Sequence, residues 1–134
     1  ELLKDVPHGL PALMRAQKVQ KKAASCGFDF ENIREALKKV SEEAGELAEA
    51  REKLSEKEIS EEYGDLLFAM VNMARFLHVD AEVALTDCTN KFIRRFGQVE
   101  SLAEADGQKI EDMSADELDK LWNKVKNNEK KNKN

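Results

Sequence analysis

Proline and glycine are scarce in this chain, with two prolines and six glycines in 134 residues. Both residue types interrupt regular helices, so their scarcity leaves room for long helical stretches. Cysteine is also scarce. Cys26 and Cys88 are too few for a disulfide scaffold; they are expected to be reduced and mostly buried, as in a cytoplasmic protein. Long hydrophobic runs are missing too. The most apolar stretch, Leu66 to Val71, is far too short to cross a bilayer as a helix, so no membrane partner is expected. Nor is there a surplus of positive charge. The formal net charge is −5, which argues against a broad electrostatic grip on nucleic acid.

What is present is apolar residues at helical spacing. The length suits one domain with one core. A first helix is expected from Pro11 to about Cys26, ended by Gly27. Asp29 is the expected N-cap of a second helix, in which Ile33, Leu37, Val40, Ala44 and Leu47 recur at steps of four and three. That helix ends near Leu54, and Ser55 with Glu58 makes a capping-box pattern opening a third. From Leu66 to Leu77 the third helix is apolar almost all round, which demands cover on several sides and suggests a second copy of the chain. His78 and Val79 make a break, and Asp80 caps a fourth helix to about Leu102. Asp106-Gly107 is a loop signal, and Ser114 with Glu117 opens a short fifth helix through Trp122. We therefore expect an all-α bundle of about five helices with a central antiparallel hairpin, dimeric, over residues 1–126. Residues 127–134, all Asn, Lys and Glu, read as a disordered tail.

Two short acidic motifs stand out: Glu42-Glu43-Ala44-Gly45-Glu46 and Glu62-Tyr63-Gly64-Asp65. Each places two carboxylates three residues apart, on one helix face. With the turn between Leu54 and Ser55, Glu46 and Glu62 both lie roughly 11 to 12 Å from it, and Glu43 comes level with Asp65. Four carboxylates gathered in this way repel one another unless a cation lies among them. All-oxygen ligation suits Mg²⁺, with Mn²⁺ as a substitute, and the Glu-x-x-His pattern of di-iron bundles is absent. Gly45 and Gly64 each cost about 1 kcal/mol inside a helix, a cost that close helix approach or ligand access would justify. Helical geometry puts Glu43 roughly 85° from the centre of its helix's apolar stripe, flanking the buried seam, while Glu42 points away.

The arrangement K-x-x-E-E-x-G-E (Lys39 to Glu46), E-x-x-D (Glu62 to Asp65) and N-K-F-x-x-R-F (Asn90 to Phe96) resembles the MazG-type nucleoside triphosphate pyrophosphohydrolases. So do Pro11 to Ala16, Gly27-Phe28-Asp29, and Asp65 to Ala69 with Asn72, Ala74 and Arg75. The resemblance runs from His8 to Lys126. It implies an all-α homodimer that hydrolyses (deoxy)nucleoside triphosphates to the monophosphate and pyrophosphate in nucleotide-pool control or housecleaning. By position, Glu43, Glu46, Glu62 and Asp65 are the implied Mg²⁺ ligands. Lys91 and Arg95 are implied to face phosphate, Trp122 and Lys126 to contact the nucleotide, and Lys39 adds to the basic group. Because some family members carry two such domains and this chain opens on Glu1, a C-terminal catalytic domain of a two-domain member is expected. One departure is Glu58, where a basic residue is expected; Lys57 stands next to it.

Within that reading, Glu42, Glu43 and Glu46 are all candidates to take the proton of the attacking water, and the sequence does not choose among them. The competing reading is a non-catalytic helical dimerisation or regulatory module that binds nucleotides without cleaving them. A nucleic-acid binder would rest on the Lys-rich end alone.

Overall fold

The computed structural model describes residues 2–133, and the described residues form helices and turns without a strand. Five α-helices follow in order: α1 (Ala12–Ser25), α2 (Ile33–Ala50), α3 (Glu56–Phe76), α4 (Ala81–Ala105) and α5 (Ala115–Asn132). A single 3₁₀ turn, Ile110–Asp112, precedes α5. Among the described residues no helix is long and apolar enough to cross a membrane. The expectation of one domain over residues 1–126 meets a finer division. The chain forms two compact units, one up to Ala84 and one from Leu85 onward.

Local chemistry sets the helix ends. Ser55 and Ser114 each accept a bond from the amide three residues on, at 3.2 Å in both cases, while Glu58 and Glu117 reach back to the serine amides. Glu58, the departure from the family's basic pattern, therefore has a capping role. The N-cap of α2 is Asn32, whose side chain accepts from the Glu35 amide at 3.1 Å. This corrects the assignment of Asp29. Asp29 lies four residues before the helix starts and is taken by Arg75 of α3, whose Nη1 donates to Oδ2 at 2.9 Å. The Arg75 guanidinium holds the Asp29 carboxyl below its ordinary pKa.

Three helices stop in the same way. After α1, α3 and α4 the amides of Phe28, Val79 and Gln108 return to the carbonyls of Ala23, Ala74 and Ala103, and the chain turns through a left-handed residue. Those residues are Gly27 (φ 89°), His78 (φ 56°) and Gly107 (φ 72°). This is the Schellman arrangement, which satisfies orphaned carbonyls. His78 carries a Cβ in a region where glycine is at ease.

In the first unit α3 packs against both α1 and α2. The Gln20 Nε2 of α1 donates to the Phe68 carbonyl at 2.8 Å, and the Gln17 amide bridges the Val79 carbonyl and the Ala81 amide at 2.8 and 2.9 Å. The buried apolar side chains here are small: Val6, Ala36, Ala69, Val71 and Ala74. Of the larger ones of the apolar stretch, Leu67, Phe68 and Met70 are 39%, 48% and 47% exposed, while Leu66, Met73 and Phe76 are half-buried. On α2 the buried positions are Ala36 and Glu43, whereas Leu37 and Ala44 face outward. The packed face is thus rotated from the expected stripe toward the acidic motif.

In the second unit Val99, Ala103 and Val125 are buried. Phe92 stacks on Phe96 with centroids 6.0 Å apart and tilts against Trp122 at 5.3 Å. Two expectations are corrected here and in the first unit. Helix α5 runs on to Asn132, so most of the segment read as a disordered tail is helical; Asn134 lies outside the described residues. The reason is that Val125 is buried and Glu129 is drawn to Arg95 at 2.9 Å, which gives the helix two more anchored turns. Cys26 and Cys88 are free as expected, but both are exposed rather than buried.

Replacing His78 with glycine removes the Cβ from the left-handed position. His78→Gly is expected to raise unfolding stability by about 0.5–1 kcal/mol, the relief being partly offset by a freer unfolded chain. Urea unfolding of the two proteins measures it; a loss of stability would show that the imidazole contributes more than its backbone strain costs.

Candidate metal centre

Glu43 lies mid-way along α2, and Glu62 and Asp65 in the second and third turns of α3. One carboxylate oxygen from each of these three residues lies within 4.8 Å of the other two. Glu43 is 9% exposed, Glu62 is half-buried and Asp65 is exposed, so the group opens from the helix seam to solvent. The i, i+3 spacing brings Glu62 and Asp65 to one face of α3, and the packing of α2 on α3 adds Glu43. Glu46 does not join the three within that distance. Its charge nonetheless reaches Glu62, whose pKa is pushed above the ordinary carboxyl value by desolvation first and then by Glu43, Asp65, Glu46 and Glu61.

A buried carboxylate surrounded by like charge is unfavourable without a counter-ion. Lys39 supplies part of one: its Nζ lies 2.9 Å from Glu43 Oε1, and this pair raises the lysine's pKa. Glu62 and Asp65 bring further negative charge beyond that ion pair. Three all-oxygen donors converging from two helices suit a hard divalent cation, and the open side leaves positions for water or phosphate. The donor set therefore fits a divalent cation.

Other expected residues fall elsewhere. Glu42 is exposed and faces Lys38 at 4.0 Å, in keeping with a solvated position. A Cβ built on Gly45 or Gly64 would meet nothing within 4 Å, so neither glycine serves close helix approach within the chain. Lys91, Arg95, Trp122 and Lys126 belong to the second unit. Lys91 is exposed, Lys126 half-buried, and Trp122 half-buried against Phe92 as a core anchor would be. Arg95 is held by Glu129, through Nε at 3.0 Å.

Sequence reasoning missed two features of the first unit. Gln20 is 5% exposed, and its Oε1 has no hydrogen-bond partner. It lines a cavity of about 440 Å³ with Val19, Phe28, Phe30, Phe68 and Asn72. Phe68 and Asn72 stand three and seven residues after Asp65, so the cavity borders the helix face that carries the acidic group. A glutamine on an amphipathic helix gives no sign of burial until its partner carbonyl is known.

Comparison with known proteins matches residues 31–100 to the MazG nucleotide pyrophosphohydrolase domain. That stretch contains Glu42, Glu43, Glu46, Glu62 and Asp65, with Lys39, Lys91 and Arg95. The chain is similar to the nucleoside triphosphate pyrophosphohydrolase/pyrophosphatase MazG of Thermotoga maritima, at 43% identity over 117 residues, covering 87% of this chain and 45% of that protein. It is similar to the nucleoside triphosphate pyrophosphohydrolase of Escherichia coli K12, at 43% identity over 129 residues, covering 95% and 49%. The uncharacterized protein YabN of Bacillus subtilis is 46% identical over 131 residues, covering 97% of this chain and 27% of its own length. The chain spans about half the length of the first two relatives.

The mutual repulsion at the acidic group sets a prediction of opposite signs. Glu62→Gln is expected to raise the melting temperature by a few degrees in chelator, because a repelled charge is removed. The same change is expected to weaken Mg²⁺ or Mn²⁺ binding by about tenfold or more, because a ligand is lost. Thermal melts with chelator and calorimetric titration with the metal test both halves; unchanged metal affinity would remove Glu62 from the site.

Proposed function

The chain belongs to the MazG nucleotide pyrophosphohydrolase family, and we propose that it hydrolyses (deoxy)nucleoside triphosphates between the α- and β-phosphates, giving a monophosphate and pyrophosphate. The observation that carries this reading is the convergence of Glu43, Glu62 and Asp65 within 4.8 Å at the family's motif positions. In the proposal these three residues would hold Mg²⁺, Mn²⁺ being a substitute, with Glu46 at the edge of the group. A divalent cation held there would neutralise charge at phosphate and make a water easier to deprotonate.

The chain's own residues do the rest. A carboxylate must accept the proton of the attacking water. Glu43 is paired with Lys39 and Glu42 faces Lys38, which favours Glu46, exposed at the edge of the group, as the acceptor. Lys91 and Arg95 provide positive charge for the phosphates, Arg95 as a planar fork and Lys91 as a mobile point charge. Trp122 and Lys126 contact the nucleotide in the same reading, and Lys39 stands beside the acidic motif. The cavity lined by Gln20, Phe28, Phe30 and Phe68 is a candidate receptacle for the organic half of the substrate. Removing damaged or surplus nucleotides from the cytoplasmic pool is the biological role that this chemistry suits.

We also propose a homodimer built on a central α2–α3 hairpin. Its support is the inverted burial on α3, where Ala69, Val71 and Ala74 are inside the chain while Leu67, Phe68 and Met70 remain exposed. Exposed apolar residues gathered on one helix call for a partner surface.

Incubation with single nucleoside triphosphates and Mg²⁺, followed by ion chromatography, is expected to give monophosphate and pyrophosphate in equal amounts. Asp65→Ala and Glu43→Ala are each expected to lower turnover by at least about 100-fold with helicity retained. Diphosphate and free phosphate as products would overturn the reading, and binding without turnover would favour the non-catalytic module. Sedimentation of the chain is expected at about twice its 15.2 kDa, and Leu67→Glu with Met70→Glu is expected to return it to the monomer. A wild-type monomer at all concentrations would sink the dimer.

A further inference from the structure

The pairing of Arg95 with Glu129 in the second unit has no place in the reading so far. Arg95 Nε donates to Glu129 Oε2 at 3.0 Å, and Arg95 Nη2 lies 2.9 Å from the same oxygen. Both side chains are largely withdrawn from solvent, at 20% and 23% exposure. The other carboxylate oxygen, Oε1, is buried without a hydrogen-bond partner, and Arg94 Nη2 stands 3.9 Å from it. Glu129 therefore grips one edge of the guanidinium, the Nε–Nη2 edge. A guanidinium has five N–H donors in one rigid plane. Fixing one edge fixes the other, so Nη1 and the far hydrogen of Nη2 keep a set direction.

We propose that Glu129 is a positioning residue that holds Arg95 with its outer edge ready as a fork for phosphate oxygens. This rests on the reading of Arg95 as a phosphate contact. A free arginine side chain must give up its rotamer freedom when phosphate binds, whereas one already tethered has given it up during folding. A carboxylate near an anion site would be harmful if it cancelled the local positive charge. Here Arg95, Arg94 and Lys133 all act on Glu129 and hold its pKa below the ordinary carboxyl value, so the carboxylate stays charged among more numerous cations. The tether also gives a purpose to the end of α5. The turns beyond Trp122 carry the carboxylate to a residue 34 positions earlier.

A competing role would reverse the sign. If Glu129 occupied the place of phosphate, its removal would tighten anion binding. The test measures calorimetric binding of inorganic triphosphate, together with KM and kcat for a nucleoside triphosphate, on the full chain. Glu129→Gln is expected to weaken triphosphate binding and raise KM by about tenfold, with kcat within about twofold of wild type. Arg95→Ala is expected to weaken binding at least as much, and Arg95→Ala with Glu129→Gln no further, because the two residues act as one unit. Glu129→Asp, which keeps the charge one methylene further back, is expected to fall between wild type and Glu129→Gln and serves if Glu129→Gln folds poorly. Tighter binding in Glu129→Gln, or unchanged binding there while Arg95→Ala weakens it, would overturn the positioning role. Unchanged binding in Arg95→Ala would instead remove Arg95 from the phosphate site, whatever Glu129 does.

Discussion

Repulsion among carboxylates is the constraint on which the first unit turns. Glu43 is placed in a helix seam where an alanine or leucine would pack more cheaply. Glu62 and Asp65 then bring two more acids to within 4.8 Å of it. Nothing in the packing of α2 on α3 requires three acids there, and burial together with the neighbouring charges makes Glu62 harder to keep ionised. Lys39 offsets part of the cost through its 2.9 Å contact with Glu43. The remainder is the kind of local instability that a bound divalent cation reverses. A site of this type gains affinity from the same charges that weaken the empty fold.

The apolar residues follow a second logic. Alanine and valine fill the interior of the first unit, and leucine, phenylalanine and methionine of the same helix face outward. Small residues let helices approach closely, but they bury little area. With Leu67, Phe68 and Met70 at 39% to 48% exposure, part of the hydrophobic potential of α3 is left unused inside the first unit. That distribution places much of the apolar surface of α3 outside the first unit's own core.

Polar side chains decide much of the remaining architecture. Gln17 and Gln20 join α1 to α3 and to the start of α4 through backbone groups, Arg75 ties α3 to the turn at Asp29, and Glu129 ties α5 to α4. Each of these replaces a contact that apolar periodicity alone would have left undefined. Long-range bonds of this kind also fix rotation about a helix axis, as they do for α1 and α3.

The all-helical class, the capping boxes at Ser55 and Ser114, the stop at Gly27, the cap at Asp80 and the acidic motifs themselves were legible in the chain's own order. They depend on residues within four positions of one another, where backbone geometry leaves few choices. The burial of Gln20 and Glu43, the capture of Asp29 by Arg75, the exposure of both cysteines and the helical end of α5 were not. Arg95 and Glu129 are 34 positions apart, and Arg75 and Asp29 are 46 apart. Whether such residues meet depends on helix rotation and packing summed over the whole fold. Local order could say that Glu43 and Asp65 stand level. Only the packed helices decided that Glu43, Glu62 and Asp65 meet while Glu46 stays at the edge, because a side chain's reach is set by the rotation of its helix as much as by its height along it.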